Sequence, residues 1–279
     1  MMKQKIILAG TLALTLLGSA QASIELNKGT LSYGQNFNSL ASSNGSDPAW
    51  TNNSSLAGWS LFAGPALNQT VSNLRVSTSS GSDRAHISYG SANAADRALG
   101  MQGGSSHRYS ANAAASDGEN FGAIGVAFVN AGASTLDGFS FSYTGEQWHV
   151  SSNANTAHNL RVQYALGAAG SSFQSQTWKN LAGANFVSPV TSGGTSGDGN
   201  LAANRVTGLG ASVTGLQWQT GQTLWLRWVD TNDRSSDHGL AIDDFSFNAS
   251  VSAVPEPQSW LLMGLGLLAF AGVQRARRS

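Results

Sequence analysis

The chain has no cysteine, only five prolines and few charges, which make up 11% of its 279 residues. Without cysteine it can form neither disulfides nor thiolate metal sites, so a hydrophobic core must stabilise the folded part. It also lacks a nucleophile elbow, an H-E-x-x-H helix, a P-loop and a dinucleotide-binding glycine motif. Its five histidines are not grouped at metal-ligand spacing. We therefore expect a protein that is not an enzyme.

Charge is unevenly distributed along the chain. Five of the fifteen basic residues and one of the fifteen acidic residues lie in the two terminal segments described below. The segment between them keeps ten basic and fourteen acidic residues, a net charge of about −4. Nucleic-acid binders need clustered lysines and arginines to neutralise phosphates, so we expect no nucleic-acid partner.

The N-terminus has the three parts of a secretory signal. Lys3 and Lys5 precede an apolar stretch over residues 6–17, and small residues follow at the positions that signal peptidase reads. An uncleaved membrane anchor is the alternative, but the apolar stretch is short for a membrane span. We predict a signal peptide over residues 1–22, with signal peptidase as an export partner. The cleavage site consists of Ala20, Ala22 and Ser23.

The C-terminus combines a Pro-Glu-Pro motif, a charge-free apolar run and a final arginine cluster. The prolines end the folded domain, predicted over residues 23–253, because they fit neither a strand nor a helix interior. The run is near the lower limit for a membrane helix, and we predict a single transmembrane helix over about 259–274 in the inner membrane. The arginines would stay in the cytoplasm. The motif residues are Pro255, Glu256, Pro257, Arg275, Arg277 and Arg278.

This C-terminal combination resembles the PEP-CTERM sorting signal of Gram-negative bacteria, over residues 254–279. The resemblance implies recognition by an exosortase, cleavage near the Pro-Glu-Pro motif, and delivery of a membrane-anchored precursor to the cell surface or extracellular matrix.

The middle of the chain consists of short apolar runs separated by turns rich in Gly, Ser and Asn. Phe139, Phe141 and Tyr143 alternate with small polar residues, the period-2 pattern of a half-buried strand. Three other runs alternate in the same way, namely residues 160–166, 224–229 and 241–247 with Ala241, Asp243, Phe245 and Phe247 on one face. Many such strands without intervening helices predict an all-β fold, a two-sheet antiparallel jelly-roll-like sandwich.

Four segments in this order, residues 96–100, 143–148, 224–228 and 237–244, resemble a secreted bacterial domain that often precedes PEP-CTERM tails. The match extends from about Phe37 to Phe247. The ending Ala-Ile-Asp-Asp-Phe-Ser-Phe is similar to the last strand of jelly-roll modules such as MAM and carbohydrate-binding domains. The resemblance implies a fold and no particular reaction.

An acidic loop near the end of the domain is a candidate for structural calcium, because calcium takes six to eight oxygen ligands. It is not an EF-hand loop, since Arg234 occupies a ligand position. The alternative is a solvated turn whose aspartates accept hydrogen bonds from backbone amides. The candidate ligands are Asp230, Asn232, Asp233, Asp237, Asp243 and Asp244.

A second candidate site is a sugar-binding face formed by Glu146, Trp148 and Arg227, with Trp225 as a stacking platform. Trp225 is predicted to face outward because its strand neighbours already supply a core face. In the structural alternative, Glu146 is buried and paired with an arginine, because an unpaired buried charge is costly. The predicted arginine partners are Arg97, Arg161 and Arg227.

The sequence therefore predicts an exported envelope or matrix protein, sorted by an exosortase, whose sandwich binds exopolysaccharide or other matrix components. The alternatives are a secreted hydrolase, or an accessory module of one, acting on extracellular polymers, and a purely structural surface protein.

Overall fold

A computed structural model describes most of the predicted extracytoplasmic domain. The described residues are 23–78, 86–103, 121–152, 155–194, 196–233 and 237–251. The predicted signal peptide, the Pro-Glu-Pro motif, the membrane helix and the arginine cluster lie outside these ranges. Within them, the longest helices are single 3-10 turns, and none is long and apolar enough to cross a membrane.

The first of two sheets contains eight strands. They are β1 (Ile24–Leu26), β3 (Trp59–Gly64), β4 (Gln69–Thr70), β8 (Phe121–Asn130), β10 (Asn159–Gly167), β11 (Lys179–Asn180), β12 (Phe186–Val187) and β14 (Thr223–Thr231). Their spatial order is β11-β10-β14-β8-β3-β4, with β1 paired to β8 and β12 paired to β10. Strands β10 and β14 are antiparallel neighbours in this sheet.

The second sheet contains seven strands. They are β2 (Ser32–Gln35), β5 (Arg75–Ser77), β6 (His86–Tyr89), β7 (Ala98–Met101), β9 (Leu136–His149), β13 (Arg205–Val213) and β15 (Gly239–Val251). Their order is β13-β9-β15-β7-β6-β5, with β2 paired to β15. All pairs in both sheets are antiparallel except β1 with β8 and β5 with β6. The predicted two-sheet jelly-roll-like sandwich is confirmed.

The apolar alternation places the core between the sheets. Phe139, Phe141 and Tyr143 all face inward from β9, as predicted, and Leu226 and Trp228 face them from β14. The rings are in direct contact: Trp228 is stacked with Trp59 at 6.0 Å and meets Tyr143 edge-on at 5.4 Å. Such pairs add about 0.5–1.5 kcal/mol each to the burial of their area.

The last strand corrects one prediction. Ala241 and Asp243 do not share a face with Phe245, because the pairing of β15 with β9 shifts between Asp243 and Ser246. Asp244 lies at this β-bulge with φ 48°, the left-handed region. One extra residue in a strand reverses the faces beyond it. The core therefore receives Ile242 before the bulge and Phe245 after it, while Ala241 and Asp243 point to the outer face.

Trp228→Ala is expected to lower the free energy of unfolding by about 3–5 kcal/mol, because it leaves a cavity among packed rings. Denaturant unfolding measures this loss. Leu201→Ala, at a side chain that is 56% exposed, is the control and should change the same quantity by less than about 0.5 kcal/mol. Equal effects of the two changes would contradict the assignment of the core.

Candidate functional site

Arg227 lies on the outer face of the first sheet, because its neighbours Leu226 and Trp228 face the core. Its Nε donates a 2.7 Å hydrogen bond to Oε1 of Gln163, the residue directly opposite on β10. Its guanidinium lies over the ring of Trp178, with Cζ 3.8 Å from the ring centroid. Strand alternation and cross-strand pairing thus fix this guanidinium in place.

The loop that follows β10 folds back over the same face. Phe173, in the 3-10 turn Phe173–Ser175, stacks on Phe62 at 4.0 Å and meets Trp225 edge-on at 5.7 Å. Trp225 is consequently only 1% exposed. The prediction that Trp225 forms an exposed platform is wrong, because it did not foresee that a loop covers the outer face. The half-buried indole on this face is Trp178.

The loop and the sheet enclose a groove of about 350 Å³, here called the Arg227 groove. Its lining combines aromatic, glutamine and arginine side chains with no carboxylate. The lining includes Phe121, Arg161, Gln163, Gln176, Trp178 and Arg227. Flat apolar rings beside planar hydrogen-bonding groups suit a ligand with both C–H faces and hydroxyl groups.

The groove carries two positive charges. Burial lowers the pKa of Arg227 to about 9, and the nearby Arg161 lowers it further in the same direction. Arg161 itself is exposed; its Cζ lies 5.5 Å above the ring of Phe121, and its Nη2 donates to Thr231 Oγ1 at 3.2 Å. Neither arginine forms an ion pair within the part of the chain that the structure describes.

Glu146 and Trp148 lie elsewhere, on the outer face of the second sheet. Both are 2% exposed, and Trp148 Nε1 donates a 2.8 Å hydrogen bond to Glu146 Oε2. Trp148 stacks on Tyr89 at 5.9 Å and is covered by the chain at Gly199, where a Cβ would lie 2.3 Å from the indole nitrogen. The four residues of the predicted sugar-binding face therefore do not assemble: only Arg227 lies in a groove.

The predicted arginine partner of Glu146 is also wrong. Arg161 and Arg227 belong to the other sheet, and the Arg97 guanidinium donates to Ser88 Oγ, the Ser88 carbonyl and the Ser91 carbonyl. The hydrogen bond from Trp148 replaces the expected ion pair, and the exposed Arg205, opposite on β13, acts on Glu146 only as a nearby positive charge.

Two buried carboxyl groups on this face have raised pKa values. Burial raises the pKa of Glu146 to about 7, and Asp96 and Asp244 add to the effect. Burial likewise raises the pKa of Asp243 to about 8, with further contributions from the negative charges of Glu146, Asp244 and Asp96. Asp243 Oδ1 accepts a 2.7 Å hydrogen bond from the Asp244 amide. This face therefore favours protonated carboxyl groups.

The predicted calcium ligands are divided between two places. Asp243 and Asp244 belong to the Glu146 face, whereas Asp233 and Asp237 lie together in the loop before β15. There the Asp233 amide donates to Asp237 Oδ1 at 2.8 Å, as the turn alternative expects.

Sequence reasoning missed a histidine at the same loop. His158 Nδ1 lies 3.5 Å from Asp233 Oδ2 and 3.6 Å from Asp237 Oδ1. Among the described residues, His158, Asp233 and Asp237 are the one group with three ligand atoms this close together. His158 precedes β10, and no motif in the sequence links it to this loop. Asp230 is buried at the end of β14, and Asn232 Oδ1 and Asp237 Oδ2 both approach Gly103.

The comparisons with known proteins bear first on the C-terminus. Residues 253–278 match the model of the PEP-CTERM protein-sorting motif. The chain thus carries this motif, as its resemblance implied, and the motif marks a protein for export and for sorting by an exosortase to the cell surface. No curated protein matches the chain in sequence.

Solved structures that share the fold include three modules. The CBM22-1 xylan-binding domain of Paenibacillus barcinonensis Xyn10C is 10% identical, covers 76% of this chain and 100% of its own, and has a TM-score of 0.32. TmCBM61, solved with β-1,4-galactotriose, is 10% identical and covers 56% of this chain and 72% of its own, with a TM-score of 0.26.

The third module is the K3 adhesin domain of Lys-gingipain from Porphyromonas gingivalis. It is 13% identical and covers 57% of this chain and 79% of its own, with a TM-score of 0.24. At these TM-scores the likenesses carry no information on what this chain binds.

The double variant Glu146→Gln/Asp243→Asn is expected to become more stable than the wild type as pH rises. Because both pKa values are raised, the contribution of these groups to stability is fully present below their ordinary values of 4.5 and 3.8, and it is lost progressively as pH rises from there to about 7 and about 8. The amides keep the hydrogen bonds from Trp148 Nε1 and the Asp244 amide without this titration.

The advantage of the double variant in the free energy of unfolding should be larger at about pH 8 than at about pH 5, by on the order of 1 kcal/mol or more. Glu25→Gln, at an exposed carboxylate, is the matched control. A constant difference between double variant and wild type at both pH values would show that these groups do not titrate as described.

Calcium binding at the acidic loop stays a prediction for Asp233 and Asp237, and the structure adds His158, whose Nδ1 lies near both carboxylates, to these donors. A bound ion raises the melting temperature by mass action if it binds only the folded state. Imidazole suits zinc better than calcium, so both ions belong in the titration. Thermal unfolding with calcium, with zinc and with EDTA should show a metal-dependent rise that Asp233→Asn abolishes and Glu25→Gln preserves. Identical melting temperatures in all three conditions would rule the site out.

Proposed function

We propose that this chain is a cell-surface or matrix protein whose β-sandwich binds polysaccharide in the Arg227 groove. The observation that carries the proposal is the half-buried Trp178, which lies in a groove beside the guanidinium of Arg227 and the amides of Gln163 and Gln176. Export and sorting by an exosortase bring such a protein to the compartment where polysaccharides lie.

The chemistry of the groove fits a sugar. A pyranose ring has C–H groups that pack on an aromatic surface and hydroxyl groups that need directed hydrogen bonds. Aromatic rings supply the first kind of contact, and glutamine and arginine side chains supply the second. The volume of about 350 Å³ is at the small end of the range for ligand sites, about 300–1,000 Å³.

The route to the surface follows from the two ends of the chain. In this proposal, signal peptidase removes residues 1–22, and the helix at about 259–274 holds the precursor in the inner membrane with its arginines in the cytoplasm. The exosortase then separates the sandwich from this helix near the Pro-Glu-Pro motif, and the sandwich is retained at the surface or in the matrix through its bound polysaccharide.

Trp178→Ala is expected to weaken binding to the host's own exopolysaccharide at least about tenfold, the effect of losing a contact worth about 1.4 kcal/mol or more. Affinity electrophoresis or retention on immobilised exopolysaccharide measures this change. Leu201→Ala, an exposed change away from the groove, is the control and should bind as the wild type does.

Trp225→Ala is not suited to this test, because its buried indole supports the fold. Wild-type binding by Trp178→Ala, with both proteins folded, would show that the groove is not the binding site.

A further inference from the structure

We infer that the Arg227 groove selects acidic polysaccharides, in which a carboxylate on the sugar pairs with Arg227 and Arg161. This inference rests on the proposed polysaccharide binding and names the class of sugar.

Arg227 is held in place but keeps hydrogen-bond donors for a ligand. Its Nε is used by Gln163, and its planar face is used by Trp178. Within the described residues, Nε is the one nitrogen of this guanidinium that makes a hydrogen bond. A guanidinium presents five N–H donors in a rigid fork, so the two Nη groups remain to donate hydrogen bonds to a ligand.

Arg161 places a second guanidinium in the same groove. Its position is set by the sheet, since Gln163 lies opposite Arg227 and Arg161 lies two residues before Gln163, on the same face of β10. The two like charges repel each other, so that Arg161 adds to the lowering of the pKa of Arg227 that burial mainly causes. Burial raises the pKa of Asp233, and the charge of Arg161 opposes this shift, but Asp233 forms no ion pair with Arg161 among the described residues.

The positive charge of the groove contrasts with the net negative charge of the domain as a whole. The segment between the terminal signals carries a net charge of about −4, yet no lining residue of the groove is acidic. A half-buried guanidinium such as Arg227, beside a second positive charge and without a counterion, costs stability, and an anionic ligand reduces that cost. Arginine forks match carboxylates in geometry as well as charge, since both oxygens can accept parallel hydrogen bonds.

The ligand class is therefore a polymer of uronic acids, with an aromatic-facing ring and a carboxylate directed at the two guanidinium groups. Sulfated sugars share the negative charge but not the planar two-oxygen geometry, and they are distinguished in the experiment.

The test compares polygalacturonate, its carboxyl-reduced neutral form, and a sulfated galactan as ligands of the intact domain. Polygalacturonate is expected to bind at least about tenfold more tightly than the neutral form, and its binding should weaken as salt is added. Equal binding of polygalacturonate and the neutral polymer would overturn the inference and leave polysaccharide binding standing. Tighter binding of the sulfated polymer would overturn the carboxylate assignment. Binding of none of the three polymers would overturn the inference.

Substitutions of single arginines test whether the groove causes the preference for polygalacturonate. Arg161→Gln changes an exposed side chain and should fold, and it is expected to reduce binding of polygalacturonate several-fold while the weak binding of the neutral polymer is unchanged. Arg227→Lys keeps the charge but loses the fork, so its binding should also fall. Arg205→Gln removes an exposed charge on the other sheet and should bind as the wild type does. A loss with Arg205→Gln equal to that with Arg161→Gln would show that net charge, not the groove, governs binding.

Discussion

Packing of aromatic rings between the two sheets is the interaction on which the rest of this structure depends. No disulfide joins the sheets, and their inner faces are held together by a continuous group of rings. Trp59, Trp228 and Phe245 contact one another, and Phe128 stacks on Phe247 at 3.9 Å. Since side chains on a strand alternate, each ring that turns inward fixes the direction of its neighbours. The inward position of Trp228 is what places Arg227 on the outside.

The two outer faces that result differ in charge. The first sheet presents the guanidinium groups of Arg161 and Arg227, whereas the second carries the buried carboxyl groups of Glu146 and Asp243. The bulge at Asp244 is responsible for part of this separation, because it turns Asp243 outward while returning Phe245 to the core. The groove arginines and the carboxyl groups with raised pKa values thus lie on opposite faces of the sandwich, and the second sheet also carries Arg97 and Arg205.

Much of the sandwich could be predicted from sequence, because alternation is a local property. The inward rings of β9 and β14 follow directly from a period of two. The bulge could not be predicted, since a run such as 241–247 alternates plausibly in either register. The outer faces were least accessible to sequence reasoning, because they depend on which loop lies over which strand. Phe173 covers Trp225, and the chain at Gly199 covers Trp148. Arg227 was found as a candidate and Trp178 was not, since nothing near Trp178 marks it as the partner of a distant strand.

The loop after β10 is anchored to the sheet by one residue, and other residues of the same loop line the groove. One ring, Phe173, enters the outer face and stacks on Phe62, while Gln176 and Trp178 beyond it line the groove. Phe173 thus anchors the segment and borders the groove, while Gln176 and Trp178 line the groove further along the same segment. Under the proposed function, changes at Gln176 and Trp178 would therefore alter the wall of the groove while Phe173 keeps the segment on the sheet.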